Sequence, residues 1–158
     1  LAALHGSEWE ISAAVAQLAS DLKAKEIIAL EGVGSPTGAG EELYAYSTDI
    51  KRRASLEKSF KMMKKGILVG ITGALLVSAK DKVPAVCFLA ETQQGLPDSK
   101  AAAKLIAAID QYLGLNVDYK PLITQATAFE SKLKGIIAQS KQASQGAQKA
   151  KSEQNYFG

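Results

Sequence analysis

The chain has 158 residues, of which 47% are hydrophobic and 22% charged, and its net charge is +3 at neutral pH. This composition is that of an ordinary globular domain, and the small, dispersed positive charge argues against a nucleic-acid-binding protein. The longest apolar stretch, residues 67–79, is interrupted by glycine and threonine and is too short to span a bilayer, so we expect no membrane partner.

The first part of the chain predicts a helix, a strand and a loop. Apolar residues recur at helical spacing over residues 7–24, and Ser7 and Glu10 form a capping-box pattern at the start. The β-rich run Glu26–Glu31 predicts a strand. The glycine- and proline-rich residues 32–40 then predict a loop without regular structure.

The middle of the chain predicts two further units of strand and helix. Leu43–Thr48 predicts a strand, whose last residue or Asp49 is suited to cap a basic helix that reaches about Lys65. Gly66–Gly70 predicts a brief strand. It leads through glycines into a helix over Thr72–Ala79.

Val83–Ala90 predicts a strand that is apolar on both faces, and Gln94–Pro97 predicts a turn. The following helix is capped by Asp98 and ends at Gly114. Its apolar stripe consists of Ala102, Leu105, Ile106, Ile109 and Leu113. Strands that alternate with helices in this way predict an α/β fold with a mostly parallel sheet covered by helices.

A last helix is predicted from about Pro121. Its apolar face consists of Leu122, Ala126, Phe129, Leu133, Ile136 and Ile137. From Gln139 to Gln154 the chain is rich in Gln, Ser, Ala and Lys and has nothing to bury, which predicts a frayed helix or a linker. We therefore divide the chain into an α/β domain over residues 1–138 and a polar helix or linker with an aromatic end over residues 139–158.

No residue pattern indicates catalysis, a metal or a cofactor. His5 is the single histidine, whereas a zinc site needs about four ligands. Cys87, the single cysteine, lies in an apolar run and is expected in the core; a chain without disulfides suits the cytoplasm. Since nucleotide-binding motifs are also absent from the sequence, we predict a protein that is not an enzyme and does not use ATP.

Two features leave alternatives open. Gly66, Gly70 and Gly73 would let backbone amides approach a phosphate, as in an enzyme of nucleoside-phosphorylase type, but close packing of strand and helix is the favoured explanation. Basic residues concentrate between positions 51 and 65. They indicate a solvated helix face first and an acidic protein partner second. They are Lys51, Arg52, Arg53, Lys58, Lys61, Lys64 and Lys65.

The sequence ends with two aromatic side chains beside a carboxylate, after a stretch too polar to fold onto a core. Aromatic residues make up only 6% of the chain, and a solvated end has no packing reason to hold two together. We therefore expect Tyr156, Phe157 and Gly158 to bind a groove on another protein. The alternative is an unstructured end or a tag remnant, since Glu153–Gly158 is similar to a scrambled protease-site tag.

Three segments resemble the proteasome assembly chaperone family as found in archaea. They are Gly66–Leu76, Pro84–Thr92 and the stretch from Pro97 to Asp118. The resemblance covers roughly residues 8–137 and depends on glycines, a Glu-Thr pair and a Pro-Asp helix start. It implies a phosphorylase- or hydrolase-like α/β domain without established catalysis. It also implies a homo-oligomer that engages the α-subunits of the 20S proteasome.

The same resemblance gives the end of the chain a partner. Some archaeal members end in a hydrophobic residue, a tyrosine and any final residue, and this end docks between α-subunits and promotes gate opening. Tyr156 would then be the hydrophobic residue, Phe157 would stand at the tyrosine position and Gly158 would supply the carboxylate. Because phenylalanine lacks the tyrosine hydroxyl, docking would survive while gate opening weakens.

The start of the chain also departs from the family. The chain opens at Leu1 rather than at a methionine, and the family's N-terminal strands, which precede the helix at Ser7, are missing. We therefore expect that the natural protein begins earlier, or that a partner supplies the missing strands, because a sheet without them would expose apolar edges.

Overall fold

The computed structural model describes residues 6–35, 42–92 and 98–154. Helices cover both faces of a four-stranded sheet, which confirms the predicted α/β fold. The helices are α1 (Glu8–Asp21), α2 (Ile50–Leu56), α3 (Gly70–Ser78), α4 (Ser99–Leu113) and α5 (Lys120–Gln154). The strands are β1 (Ile27–Gly34), β2 (Leu43–Ser47), β3 (Lys61–Met62) and β4 (Ala85–Thr92).

The strands lie in the order β1-β4-β2-β3. β1 pairs with β4 and β2 pairs with β3 in parallel, so the prediction of a mostly parallel sheet is confirmed. β2 runs antiparallel to β4. The direction reverses because only residues 35–42 connect β1 to β2, which is too few for the helical crossover that parallel strands require.

β4 is the centre of the core, and its side chains are buried on both faces of the sheet. Cys87 and Leu89 point to one face, where they pack with Ala16 of α1 and Leu76 of α3. On the other face, Val86 and Phe88 pack with Leu56 of α2 and Ala108 of α4. The Phe88 ring also makes edge contacts with Phe60 and Tyr112, at centroid distances of 5.1 and 5.5 Å.

β1 is longer than predicted. The sequence indicated a loop from Gly32 onward, but Gly32, Val33 and Gly34 continue the strand and pair with residues 90–92 of β4. A side chain at Gly32 would place its Cβ 3.0 Å from Cγ2 of Thr92. Glycine therefore permits close strand packing here, so the prediction of a break was wrong. Residues 36–40 of the predicted loop lie outside the described parts.

The basic helix is shorter than predicted. α2 ends at Leu56 rather than near Lys65, and the amide of Phe60 donates to the Leu56 carbonyl oxygen at 2.8 Å. This turn brings Lys61 and Met62 alongside β2, where they pair with Tyr44 and Ala45 as β3. The available edge of β2 thus outweighs the local helix propensity of the sequence.

The prediction of a strand over residues 66–70 was wrong. Residues 66–69 form irregular backbone, and Ile67 and Val69 are 91% and 80% exposed, whereas Leu68 between them packs against the core. An alternating pattern of this kind fits a strand, but the segment pairs with none of the strands in the described parts of the chain.

The four predicted cap residues stand at the ends of their helices, but one of them lacks the predicted side-chain cap. Asp49 caps α2 by accepting from the Arg52 amide at 2.9 Å, and Asp98 caps α4. Gly114 ends α4 in the left-handed region with φ 65°. Ser7 is the N-cap residue of α1, as predicted, but its backbone is not extended and its side chain makes no capping hydrogen bond to the helix. The predicted turn at residues 94–97 lies outside the described parts.

The predicted apolar stripe is partly confirmed in α4 and largely exposed in α5. In α4, the predicted Leu105 and Ile109 pack against the core beside the buried Ala108, whereas the predicted Ala102 and Leu113 are exposed. In α5, Leu133 and Ile137 are partly buried, whereas Ala126 is exposed and Phe129 and Ile136 are 63% and 62% exposed. The Leu122 side chain lies outside the described parts. The predicted apolar face of α5 is therefore largely uncovered.

One carboxylate attaches α5 to α4. Glu130 accepts from the Ser99 amide at 2.8 Å and from the Ser99 hydroxyl at 2.6 Å, and its other oxygen accepts from Lys134 at 2.6 Å. A carboxylate at the start of α4 also meets the positive end of that helix. The hydrogen bonds from Lys134 and Ser99 lower the pKa of Glu130 to about 2.

The backbone of α5 is helical through Gln154, so the polar residues 139–154 form a helix rather than a linker. Among the described helices, none is long and apolar enough to cross a membrane.

We predict that Glu130→Gln loosens α5 from α4, because a neutral amide replaces a carboxylate that accepts three hydrogen bonds. The stability difference between the two proteins should be complete above pH 4.5 and should vanish as the pH falls through about 2, since the pKa is depressed in the folded state. Amide hydrogen exchange at Ser99 and urea unfolding across this pH range measure both effects. The exposed Glu10→Gln serves as the control and should change neither.

Candidate functional site

An irregular segment, Met63–Leu68, contributes to the walls of two clefts. The smaller cleft has a volume of about 590 Å³ and also touches β2, α2 and α3. We call it the basic cleft. The larger has a volume of about 1140 Å³ and extends to the carboxyl ends of β1 and β4. We call it the wide cleft. The basic cleft reaches the part of β2 that the short strand β3 leaves unpaired, whereas the wide cleft lies beside the paired residues of the two strands.

Glycine lets this segment lie close to α3. A Cβ atom on Gly73 would lie 2.5 Å from the carbonyl oxygen of Leu68, which is closer than real atoms approach. Gly70 starts α3 with φ 75°, a backbone conformation that other residues rarely adopt. The contact at Gly73 agrees with the favoured explanation of the glycine series, close packing.

β2 directs two tyrosines toward the clefts. Tyr44 and Tyr46 are two residues apart in a strand and so lie on the same face of the sheet, with Tyr44 in the wide cleft and Tyr46 in the basic cleft. Sequence reasoning missed both residues, although the spacing of two tyrosines within a predicted strand was a signal for this arrangement.

Arg53 is held rigidly at the basic cleft. Its Nε donates to the Ser47 carbonyl oxygen at 2.6 Å, and its Nη2 donates to the Tyr46 hydroxyl at 3.1 Å. The guanidinium carbon lies 4.9 Å from the centre of the Tyr46 ring, a cation–π distance. The position of this charge is therefore fixed by the protein itself.

The wide cleft contains a network of acidic and aromatic groups. Glu91 is only 4% exposed and accepts hydrogen bonds from the Ser35 hydroxyl at 3.0 Å and from the Tyr44 hydroxyl at 3.4 Å. Lys61 donates to Glu42 at 2.9 Å and lies 5.1 Å from the centre of the Tyr44 ring. The hydrogen bond to Glu42 raises the pKa of Lys61. Both charges therefore have partners within the protein.

The basic residues do not form the single helix face that the sequence suggested. Arg52 forms an ion pair with Glu26 at 3.3 Å, and Lys61 forms one with Glu42. Lys64 and Lys65 lie beyond α2 on the irregular segment, where both line the basic cleft. The correction follows from the early end of α2, which distributes these residues over α2, the turn after it, β3 and the irregular segment.

Cys87 is fully buried in the core, as predicted. Burial, followed by the charge of Glu31, raises the pKa of its thiol to about 12, so the thiolate is not available as a nucleophile at neutral pH. The described residues contain no group of three or more His, Cys, Asp or Glu side chains that could hold a metal ion. His5 lies outside them.

The predicted partner-binding residues, Tyr156, Phe157 and Gly158, also lie outside the described residues, so their role stays a prediction. These three residues come two to four positions after Gln154, the last residue of α5.

Comparison with known proteins places the fold in a family. The family model described as PAC2 family matches residues 5–137. Among curated proteins, MJ0106 of Methanocaldococcus jannaschii, described as uncharacterized, is 28% identical over 121 residues. That alignment covers 76% of this chain and 50% of the relative.

Solved structures show the same fold. PbaA of Pyrococcus furiosus, an archaeal homolog of proteasome-assembly chaperone, is 26% identical with a TM-score of 0.74, covering 90% of this chain and 66% of PbaA. PbaB of the same organism, an archaeal proteasome activator, is 20% identical with a TM-score of 0.69 and shares the fold, covering 87% of this chain and 61% of PbaB. The chain thus spans half to two thirds of the length of these relatives.

We predict that Gly73→Ala destabilises the protein by about 1–3 kcal/mol, because the new methyl group must displace the backbone at Leu68. The matched control is Gly135→Ala in α5, where no atom lies within 4 Å of the point that a Cβ would occupy. Alanine is the better helix former there and should stabilise by up to about 1 kcal/mol. Urea unfolding measures both, and equal effects would contradict the close contact.

Proposed function

The chain belongs to the PAC2 family, and from this premise we propose that it is an ATP-independent protein that binds the α-subunits of the 20S proteasome in the cytoplasm. The single observation that carries the proposal is the similarity to PbaA, an archaeal homolog of proteasome-assembly chaperone, over most of this chain. The buried Cys87 thiol and the fully paired Glu91 support a role in binding rather than catalysis.

We propose that Tyr156, Phe157 and Gly158 make the contact with the proteasome. The supporting feature is α5, a helix of 35 residues that is about 52 Å long at 1.5 Å per residue. Its main contacts with the rest of the described chain are with α4, where Glu130 binds Ser99. A helix anchored near its start carries the residues that follow it away from the α/β domain.

We further propose that the protein forms a homo-oligomer through the uncovered face of α5. Five apolar residues on this helix follow spacings of four, three, four and three, which is the heptad pattern of helices that pack side by side. They are Leu122, Ala126, Phe129, Leu133 and Ile136. Phe129 and Ile136 are the large exposed members of the pattern, and the same helix in a second copy is the complementary apolar surface.

Self-association would strengthen proteasome binding. Each copy contributes one end, and several weakly binding ends on one assembly reach a multi-subunit ring together, so the later binding events become intramolecular. The proposal therefore links the exposed stripe of α5 to the aromatic end of the chain.

We predict that deletion of Tyr156–Gly158 abolishes binding to archaeal 20S α-rings while the oligomer stays intact. Pull-down and surface plasmon resonance compare the full chain with the truncated chain, and size-exclusion chromatography with light scattering checks the assembly. Phe157→Tyr is the variant that separates docking from gate opening: it should raise peptide hydrolysis by the proteasome while binding stays within about twofold, since it adds only the hydroxyl.

Undiminished binding of the truncated chain would contradict the proposal that Tyr156–Gly158 make the contact with the proteasome. Absence of binding by both chains would instead count against the proteasome as partner.

We predict that Phe129→Glu combined with Ile136→Glu dissociates the oligomer, because two carboxylates would have to be buried between apolar helices. The measurement is molar mass by light scattering. The control is Lys132→Glu, which changes the net charge by the same two units at an exposed position between the two sites. A monomeric unmodified chain, or an oligomer that survives the double substitution, would contradict the interface.

A further inference from the structure

The basic cleft has an unusual charge balance. Four cationic side chains line it: Arg53, Lys64, Lys65 and Lys80. Its described lining residues include no aspartate or glutamate. The four cations belong to three different parts of the chain, namely α2, the Met63–Leu68 segment and the residues after α3, so the fold rather than the sequence brings them together.

These charges are not neutralised by the protein. Within the described parts of the chain, the ion pairs formed by carboxylates involve Arg52, Lys61 and Lys134, none of which lines the basic cleft. Like charges that converge on one concave surface focus a positive potential there and attract anions. Arg53 adds a guanidinium that is already oriented by Ser47 and Tyr46, which lowers the cost of ordering it when an anion binds.

Part of the lining of the same cleft is apolar. Leu68, Leu76 and Val77 line it, and Val77 is 62% exposed although it is a large hydrophobic residue. The volume of about 590 Å³ lies within the range of about 300–1,000 Å³ that is usual for small-molecule sites. An inorganic ion would leave this apolar surface in water, whereas a neutral apolar molecule would leave the cations without a partner.

We propose that the basic cleft binds a small organic anion, in which a carboxylate or phosphate is joined to an apolar group. The anionic part would contact Arg53 and the lysines, and the apolar part would cover Leu76 and Val77. This site lies on the α/β domain and does not involve the end of the chain, so it is independent of the proposed binding to the proteasome.

The proposal is tested by isothermal titration calorimetry of the full chain with four probes: phenyl phosphate, phenylacetate, inorganic phosphate and benzyl alcohol. Phenyl phosphate or phenylacetate should bind saturably, at least about tenfold more tightly than inorganic phosphate or benzyl alcohol, because only these two satisfy both parts of the cleft. Whichever of these two probes binds more tightly shows whether the cleft prefers a phosphate or a carboxylate. Raising the salt concentration should weaken the binding.

Substitutions locate the binding. Lys64→Gln with Lys65→Gln should weaken binding of the tighter probe by about tenfold, because two charged hydrogen-bond donors are lost. Val77→Asp should weaken it further, since it places a carboxylate among the cations. The matched control, Lys58→Gln with Lys100→Gln, removes two exposed lysines outside the cleft and should leave binding unchanged. Thermal unfolding verifies that each variant is folded.

Three results would overturn the inference. They are the absence of saturable binding by either organic anion, equally tight binding of inorganic phosphate, and undiminished binding by the folded Lys64→Gln, Lys65→Gln variant.

Discussion

The structure depends on the burial of β4 between two layers of helices. β4 has eight residues, and its side chains are buried on both faces, so it must be largely apolar, must have a strand on each side and must be covered from above and below. β1 and β2 meet the second requirement, and the pairs α1 with α3 and α2 with α4 meet the third. The positions of the two neighbouring strands and of the four covering helices follow from this one strand.

Much of this arrangement could be predicted from the sequence, because the decisive signals are local. An uninterrupted apolar run predicts a buried strand, and Asp98 and Gly114 mark the ends of α4 by interactions within a few residues of each. The errors share a different cause. Gly32 to Gly34, Lys61 and Met62 are strand residues only because an open strand edge lies beside them, and no short stretch of sequence contains that information.

The candidate site was less predictable than the fold. The basic cleft combines Arg53 of α2 with Lys80 beyond α3, and the sequence placed its other lysines on a helix that in fact ends nine residues before Lys65. The end of the chain could be given a partner only through resemblance to a family, since two aromatic residues and a carboxylate suggest a binding motif but not what it binds. Composition and periodicity predict where helices and strands begin and end, whereas a binding site combines residues from several elements that are distant in the sequence.

The attachment of α5 at Glu130 has a mechanical consequence. The helix packs against α4, is hydrogen-bonded to it through Ser99 and Glu130, and continues for about 36 Å from Glu130 to Gln154, at 1.5 Å per residue. A rotation of α5 about its attachment to the start of α4 therefore displaces the far end of the helix most. A tilt of about 10° at Glu130 moves the far end by about 6 Å, the distance between neighbouring side chains on a helix surface. A small change in the angle between α5 and α4 thus produces a large displacement of whatever the end of the helix carries.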